Sequence, residues 1–474
     1  MQYRKSKMFL SFMNFWKVTA LLIFIAFQSN AQSTHVVRDE DGRHVIPRGF
    51  VVNTNDGAGE LFYTPDDYLR MVRMGANYQV IRLELGKLSN FPDSELKPEY
   101  LLKLDSLVEL GKNHGIKTVF KMTVYSVKGF SWEDFYLNKG GEQETYVEAW
   151  KTIWHRYKNN VAVKGYDLVN EPRKHDMDIS YVDLTNNHLV PIYQKIIDEY
   201  LKIDEGKLMY CQAIFMNKGD AINHNQYAEI TRSIDRPNVV FTPHIYQNKK
   251  QWIRPSMLRF VKEAELQNGP MLVGEWGYPT LKTTDTSISD QLDYMDYYMH
   301  TVHLFDSLGV GTIKAWFSGN RVMQDFLPGG PSTWAIFSDS TGVGTVERKY
   351  ITDIIARPYP QAIAGDIHTF NYDFSTRILK VSLATASNKG ASKIFVGANR
   401  HYPDGFTIRI GGELLLIHNP IKNAGLEMLK NTGGWEMGNF IWDEKSQQLV
   451  ILKWPSDKQE LTLSIEPGIT RKSL

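Results

Sequence analysis

Two stretches decide the fold: Val163-Lys-Gly-Tyr-Asp-Leu-Val-Asn-Glu-Pro172 and Pro270-Met-Leu-Val-Gly-Glu-Trp-Gly277. Each is a short, mainly apolar run that reads as a buried β-strand. Each ends on a glutamate, Glu171 or Glu275, with a turn-former close behind, Pro172 or Gly277. Working outward, six further runs share this character: Ile46–Asn53, Gln79–Leu85, Lys117–Val124, Leu208–Phe215, Asn238–Ile245 and Gly311–Phe317. Amphipathic helical patterns lie between them. Thr64-Pro65-Asp66-Asp67 is a helix start, with a Thr cap, Pro in the first turn and acids at the positive dipole end. Residues 97–114 place Leu101, Leu104, Val108 and Gly111 on one face before Gly115 as a stop, and residues 144–158 and 187–204 are patterned alike.

Strands alternating with helices predict a parallel sheet, and eight such units predict a (β/α)8 TIM barrel in the α/β class. An open doubly wound sheet is the rival. It lacks a phosphate-binding fingerprint, since Gly57-Ala-Gly59 has no third glycine and no dinucleotide-type helix after it.

The pattern changes at Ala356-Arg-Pro-Tyr-Pro-Gln-Ala-Ile-Ala-Gly365, which reads as a linker. Beyond it come short alternating runs: Ile378–Leu383, Lys393–Val396, Phe406–Ile410, Glu413–Ile417, Leu449–Trp454 and Leu461–Ile465. The stretches starting at Phe370 and Phe440 resemble each other as aromatic-strand, turn, strand hairpins. Residues 366–474 are therefore expected to form a C-terminal β-sandwich domain. At the other end, Arg4, Lys5, Lys7 and Lys17 precede an apolar run from Val18 to Phe27 and the small residues Ser29-Asn30-Ala31. This is the layout of a cleaved signal peptide, 1–31, which predicts a secreted or periplasmic protein. The catalytic domain is then expected over 32–356.

Composition narrows the classes further. Apolar residues make up 42% and charged residues 23% of the 474-residue chain, so a large ordinary core is available. There is no basic excess or Lys/Arg-rich run, which argues against a nucleic-acid partner. Cys211 is the only cysteine, so no intramolecular disulfide forms, and its strand-like setting reads as a buried, inert thiol. No His-Glu-x-x-His, Cys-x-x-Cys or EF-hand pattern calls for a metal, and no cofactor is expected. His175, Asp176 and Asp178 read as a loop along a cleft.

Two carboxylates at the C-terminal ends of parallel strands of one barrel can face each other across its mouth, the arrangement that glycoside hydrolysis needs. Asn170-Glu171-Pro172 after the fourth strand and Glu275 after the seventh resemble glycoside hydrolase family 5. The resemblance spans about residues 45 to 320. It implies that Glu171 is the acid/base and Glu275 the nucleophile of a retaining β-glycosidase, with Glu171 kept protonated by a raised pKa. It also implies substrate contacts from Arg82, Asn170, His244, Tyr246 and Trp316. Arg82 would hold the nucleophile ionised, and Tyr246 would donate to it. His244 and Tyr246, two apart on a strand, share a face. One departure stands out: the family commonly carries a histidine after strand three, where this chain has Thr123 or Tyr125, and His114 precedes the strand. The stretch Arg357–Gly365 and the appended sandwich resemble endoglycoceramidases, which implies a glycolipid substrate and transient contact with micelles or a membrane surface. A β-glucanase or mannanase, or an inactive carbohydrate-binding protein, is the alternative. Trp252, Trp276, Tyr278, Phe326 and Trp334 are candidates for an apolar aglycone channel.

Overall fold

The computed structural model describes residues 35–54, 62–89, 97–124, 127–216, 226–278, 287–318, 335–339, 341–420, 423–429, 434–456 and 459–468. The signal-peptide segment, Tyr125, Phe326 and Trp334 lie outside the described residues. No helix among the described residues is long and apolar enough to cross a membrane.

Eight strand positions form a closed parallel barrel: Arg48–Val52 (β1), Tyr78–Glu84 (β2), Lys117–Thr123 (β3), Val163–Asp167 (β4), Leu208–Cys211 (β5), Val239–Phe241 (β6), Leu272–Trp276 (β7) and Gly311–Lys314 (β8). β6 is interrupted at Thr242-Pro243 and resumes at His244–Ile245. Its first part pairs with β5 and its second with β7, while β8 pairs with β1. A bridge between Phe241 and Met271 closes the remaining seam. Helices pack outside: Pro65–Arg73 (α1), Pro98–Asn113 (α2), Glu142–Tyr157 (α3), Val190–Leu201 (α4), Lys250–Leu266 (α5), Ile288–Ser307 (α6) and Lys349–Ile355 (α7). No helix follows β5 among the described residues. α1 starts as its sequence requires. Thr64 accepts from the Asp67 N–H, Asp67 accepts from the Thr64 N–H, and Pro65 loses no hydrogen bond in the first turn.

The barrel interior is layered. Val51, Val80, Val119 and Gly165 share one register row across β1–β4, and buried apolar side chains fill this level. Two residues further along, on the same face, the row reads Arg82, Lys121, Asp167. The apolar floor thus ends where a charged layer begins, toward the C-terminal mouth.

The C-terminal region is a β-sandwich of Tyr359–Ile363 (β9), Gly365–Asp373 (β10), Ile378–Thr385 (β11), Ser392–Phe395 (β12), Phe406–Ile410 (β13), Glu413–Asn419 (β14), Asn423–Met428 (β15), Phe440–Asp443 (β16), Gln448–Ile451 (β17) and Glu460–Pro467 (β18). One antiparallel sheet runs β10-β11-β18-β13-β14-β15. The other runs β9-β12-β17-β16 and is extended past β9 by two N-terminal strands, Val37–Arg38 and His44–Val45. Both sheets face one apolar core that includes Ile363, Phe370, Leu379, Phe395, Ile451 and Leu463.

Two features differ from the sequence reading. The stretch taken as a linker contains a fully buried strand, β9, in the interior of its sheet. Pro360 is tolerated there because the β9–β12 register shifts between Pro360 and Ala362. The N-terminal strands, assigned to the barrel domain by position alone, belong instead to this sheet: His44–Val45 pairs with β9, and Val37–Arg38 pairs with His44–Val45. The two look-alike hairpins are alike in their turns. Asp373 Oδ1 accepts from the N–H groups of Ser375 and Thr376, Asp443 Oδ1 from those of Lys445 and Ser446, and a positive-φ residue (Arg377, Gln447) ends each turn.

Candidate active site

Glu171 sits just past β4 with a backbone φ of 44°, a left-handed conformation costly for a residue with a Cβ. Its N–H is held by Gln212 Oε1 at 3.1 Å, a contact that helps to fix the turn. The turn carries the carboxylate over the barrel mouth, where Oε1 lies 2.9 Å from His244 Nδ1 and Oε2 accepts from Arg173 at 3.2 Å.

Glu275 is near the end of β7 and is buried. Gly274 beside it lets β6 and β7 approach, since a Cβ there would stand 2.4 Å from Thr242 Oγ1. Each oxygen of Glu275 has one donor: Tyr246 Oη to Oε2 at 2.8 Å, and Lys121 Nζ to Oε1 at 3.0 Å. One oxygen of Glu275, one of Glu171 and one ring nitrogen of His244 all lie within 4.8 Å of one another. Three such groups can hold a cation. Here the ammonium of Lys121 already supplies positive charge beside Glu275, which argues against a shared divalent ion.

Lys121 is completely buried, and sequence reasoning passed over it. Besides Glu275 it faces Asp167 Oδ2 at 3.5 Å, His244 Nε2 at 3.2 Å and the Gly274 carbonyl at 3.4 Å. Gln212 links the same groups. Its amide nitrogen points to Asp167 Oδ1 at 3.2 Å and His244 Nε2 at 3.4 Å, while its oxygen accepts from Glu171 N–H and Tyr227 Oη. The signal in the sequence was a lysine within the otherwise apolar Val119-Phe-Lys-Met stretch, two residues before Thr123 and so on its face. Thr123, one of the two residues standing where the resemblance expects a histidine, donates to the Leu83 carbonyl at 2.7 Å. Asp167, Gln212 and Arg173 were missed because each stands beside a more conspicuous neighbour.

The other expected residues are placed as follows. Arg82 lies in the charged layer with its Cζ 5.2 Å from the Trp316 ring centre, but its guanidinium makes no hydrogen bond to Glu275. Trp316 and Asn170 are buried beside the mouth, and Asn170 Oδ1 has no partner among the described residues. Trp276 is a core residue, packed on Tyr298 and Phe305 away from the cleft, so it does not line a channel. Tyr278 is half-buried against Tyr294 and Tyr297, and Trp252 lies under Lys249. His175 pairs with Asp176 on the surface, far too exposed for a closed metal site.

The electrostatics separate the groups. Burial pushes the Glu275 carboxyl up, but the charges of Lys121 and Arg82, with the Lys121 hydrogen bond, outweigh it and hold the group well below the usual carboxylate range. For Glu171, burial and the Glu275 charge push upward. The His244 hydrogen bond and the charge of Arg173 outweigh them, so its pKa is lowered. This differs from the raised value expected of Glu171, because the sequence showed neither Arg173 folding back nor the His244 contact. Burial raises Asp167 to about 6 despite Lys121, and burial raises the inert Cys211 thiol well above its usual range.

The cellulase family model, glycosyl hydrolase family 5, matches residues 39–309, and the model of the glycoside hydrolase family 5 C-terminal domain matches residues 357–465. The chain is similar to an endoglycoceramidase of Hydra vulgaris, 22% identical over 311 residues, which cover 59% of this chain and 53% of that protein. The match therefore spans about half the length of that curated relative. Among solved structures it is similar to endo-glycoceramidase II from Rhodococcus sp., with a TM-score of 0.68 at 18% identity, covering 92% of this chain and 100% of the other. A second similar structure is an endogalactoceramidase, with a TM-score of 0.63 at 17% identity, covering 92% and 98%. At these identities the structural likeness establishes a common fold.

Proposed function

The chain belongs to glycosyl hydrolase family 5, and we propose that it is a retaining β-glycosidase that cleaves between the glycan and the lipid aglycone of a glycolipid. The observation that carries the retaining reading is the separation of the two carboxylates, with oxygens of Glu171 and Glu275 within 4.8 Å. Retaining enzymes hold their carboxyls about 5–5.5 Å apart, and inverting enzymes need about 6.5–9.5 Å to admit water.

In the first step ionised Glu275 attacks the anomeric carbon, forming a C–O bond as the bond to the aglycone breaks. The departing oxygen takes the proton of Glu171. In the second step water attacks the same carbon, its proton passes to Glu171, and the bond to Glu275 breaks. Glu275 is suited to attack because two donors and a positive surround keep it charged. Glu171 rests ionised, which suits the second step. The first step then draws on its minority protonated form, so turnover of substrates that need the acid falls as pH rises. The open acceptor Asn170 Oδ1 is placed for a sugar hydroxyl.

The glycolipid substrate is supported by likeness in both domains to proteins named for ceramide glycosides. Incubating the mature chain with detergent-solubilised glycosphingolipids and with soluble β-glucans, with mass analysis of products, tests it. Release of intact oligosaccharide from lipid is expected, and shortening of glucans alone would exclude it. Proton NMR of the first-formed sugar should show the β-anomer. Export through residues 1–31 is part of the same proposal, and N-terminal sequencing of protein from the medium or periplasm tests it.

A further inference from the structure

We propose that Lys121 is a positioning residue for both carboxylates, fixing Glu275 directly and Glu171 through the ring of His244. The inference rests on the retaining reading above. Lys121 is fully buried beneath the mouth, and its Nζ contacts protein groups on three other strands: Glu275 and the Gly274 carbonyl on β7, Asp167 on β4 and His244 on β6. It does not touch substrate space. It is the only cation among the described residues that hydrogen-bonds Glu275, the task the strand-two Arg82 was expected to perform.

Its second contact sets the histidine. His244 Nε2 faces two donors, the Lys121 ammonium at 3.2 Å and the Gln212 amide at 3.4 Å. The Gln212 orientation is fixed, because its oxygen is taken by Glu171 N–H and Tyr227 Oη. A ring nitrogen met by two donors must present its lone pair, so the ring proton lies on Nδ1 and is donated to Glu171 Oε1 at 2.9 Å. Lys121 thereby anchors the donor that Glu171 sees. Asp167 completes the device. When Glu275 forms its bond to the sugar it loses its charge, and Asp167 remains as the counter-ion of the buried ammonium.

The charged or titratable groups facing Glu275 are Arg82 from β2, Lys121 from β3, His244 and Tyr246 from the β6 end, and Lys314 from β8. Glu171 faces it across the mouth, and Asp167 stands behind Lys121. Loss of Lys121 removes the contact that most favours the ionised nucleophile.

The test is Lys121→Met, assayed on an activated aryl β-glycoside whose leaving group needs no acid. The expected result is a fall in kcat of about 10²-fold with little change in KM. The acidic limb of kcat/KM should move to higher pH, because Glu275 then protonates more readily. Lys121→Arg, which keeps the charge, should restore part of the rate and of the limb. If Lys121→Met does not fold, Lys121→Met/Asp167→Asn replaces it, removing both members of the pair, and the same shift of the limb is expected. A folded variant with wild-type kcat and an unmoved acidic limb overturns the inference, even if its thermal stability drops. A wild-type chain inactive on every β-glycoside, or an active Glu275→Ala, overturns the hydrolase reading itself. Those outcomes are distinct from a normal wild type with an indifferent Lys121.

Discussion

The barrel buries a charge cluster at each end, and the two are built differently. At the bottom, Asp306 of α6 sits between Arg48 of β1 and Arg357. One oxygen accepts from Arg48 at 2.6 Å and the other from Arg357 Nε at 2.7 Å. Arg48 also lies 3.8 Å from the Tyr359 ring centre, and Tyr359 Oη donates to the Gly75 carbonyl at 2.7 Å. These contacts tie the barrel to the first strand of the sandwich. At the top, three carboxylates, one lysine, one histidine and nearby Arg173 and Arg82 leave Asn170 Oδ1 unpartnered and the mouth lined with acceptors. The bottom cluster is closed around one anion and serves attachment. The top one crowds like charges, the condition that makes protonation negotiable.

The largest effect should come from breaking the top cluster. Glu275→Ala is expected to lower kcat by roughly 10⁴-fold or more while the protein stays folded, with azide restoring part of the turnover on an activated substrate. Wild-type turnover, or no azide rescue, would remove Glu275 as nucleophile. Breaking the bottom cluster should do the reverse. Asp306→Asn leaves two buried guanidinium groups facing a neutral partner and should cost about 3–5 kcal/mol of stability, read by denaturant melts. The kcat of the folded fraction should stay near wild type. A loss of kcat without a loss of stability would mean that the two ends are coupled.

How much of this contrast the sequence disclosed follows from what each end is made of. Strand runs and helix caps are local, so the barrel, the sandwich strands and the two glutamates could be read from short windows. The roles of Arg357 and Lys121 depend on partners from β1, α6, β6 and β7, which no window contains. Arg357-Pro-Tyr-Pro looked like a linker because prolines usually end structure. Here Tyr359–Ile363 is a buried strand whose register shift absorbs Pro360. The missing histidine points to Thr123 or Tyr125, whereas the charged group of that strand, Lys121, sits two residues before Thr123 and points the same way.

Acid should sharpen the contrast at an intermediate scale. His44 and His401, both in the sandwich region, are buried, and burial lowers each from 6.5 to about 4. Both are seated neutral: His44 Nδ1 accepts from Ile367 N–H at 3.1 Å, and His401 Nδ1 lies 3.1 Å from Tyr372 Oη with Nε2 3.0 Å from the Ala356 carbonyl. A histidine whose folded pKa is depressed contributes stability that is present above 6.5 and lost as pH falls toward 4, because the unfolded chain takes the proton first. Each could withdraw up to about 3 kcal/mol over that range. The melting temperature of wild type should therefore fall more between pH 7 and pH 4.5 than that of His401→Gln, which cannot titrate. Equal falls would show that the Tyr372 and Ala356 contacts survive protonation.

The smallest effect is a shift of a pH limb, and it asks most of the top cluster. Arg173 donates to Glu171 Oε2 at 3.2 Å and, with the His244 contact, lowers the carboxyl below its ordinary value. For a substrate with an unactivated alcohol leaving group, the first step needs the protonated form of Glu171. Its rate should then decline as pH rises past that lowered value. Arg173→Gln removes one of the charges that favour the ionised form, so the declining limb of kcat/KM should move toward higher pH. The same variant on an activated aryl glycoside should show no movement, because that leaving group departs without a proton. A limb that moves equally with both substrates would locate the titration at Asp167 instead, since losing a proton makes Glu275 a better nucleophile and cannot cause a decline. A limb that does not move with either would make Arg173 a neighbour of Glu171 without influence on it, leaving the His244 hydrogen bond as the sole brake on its protonation.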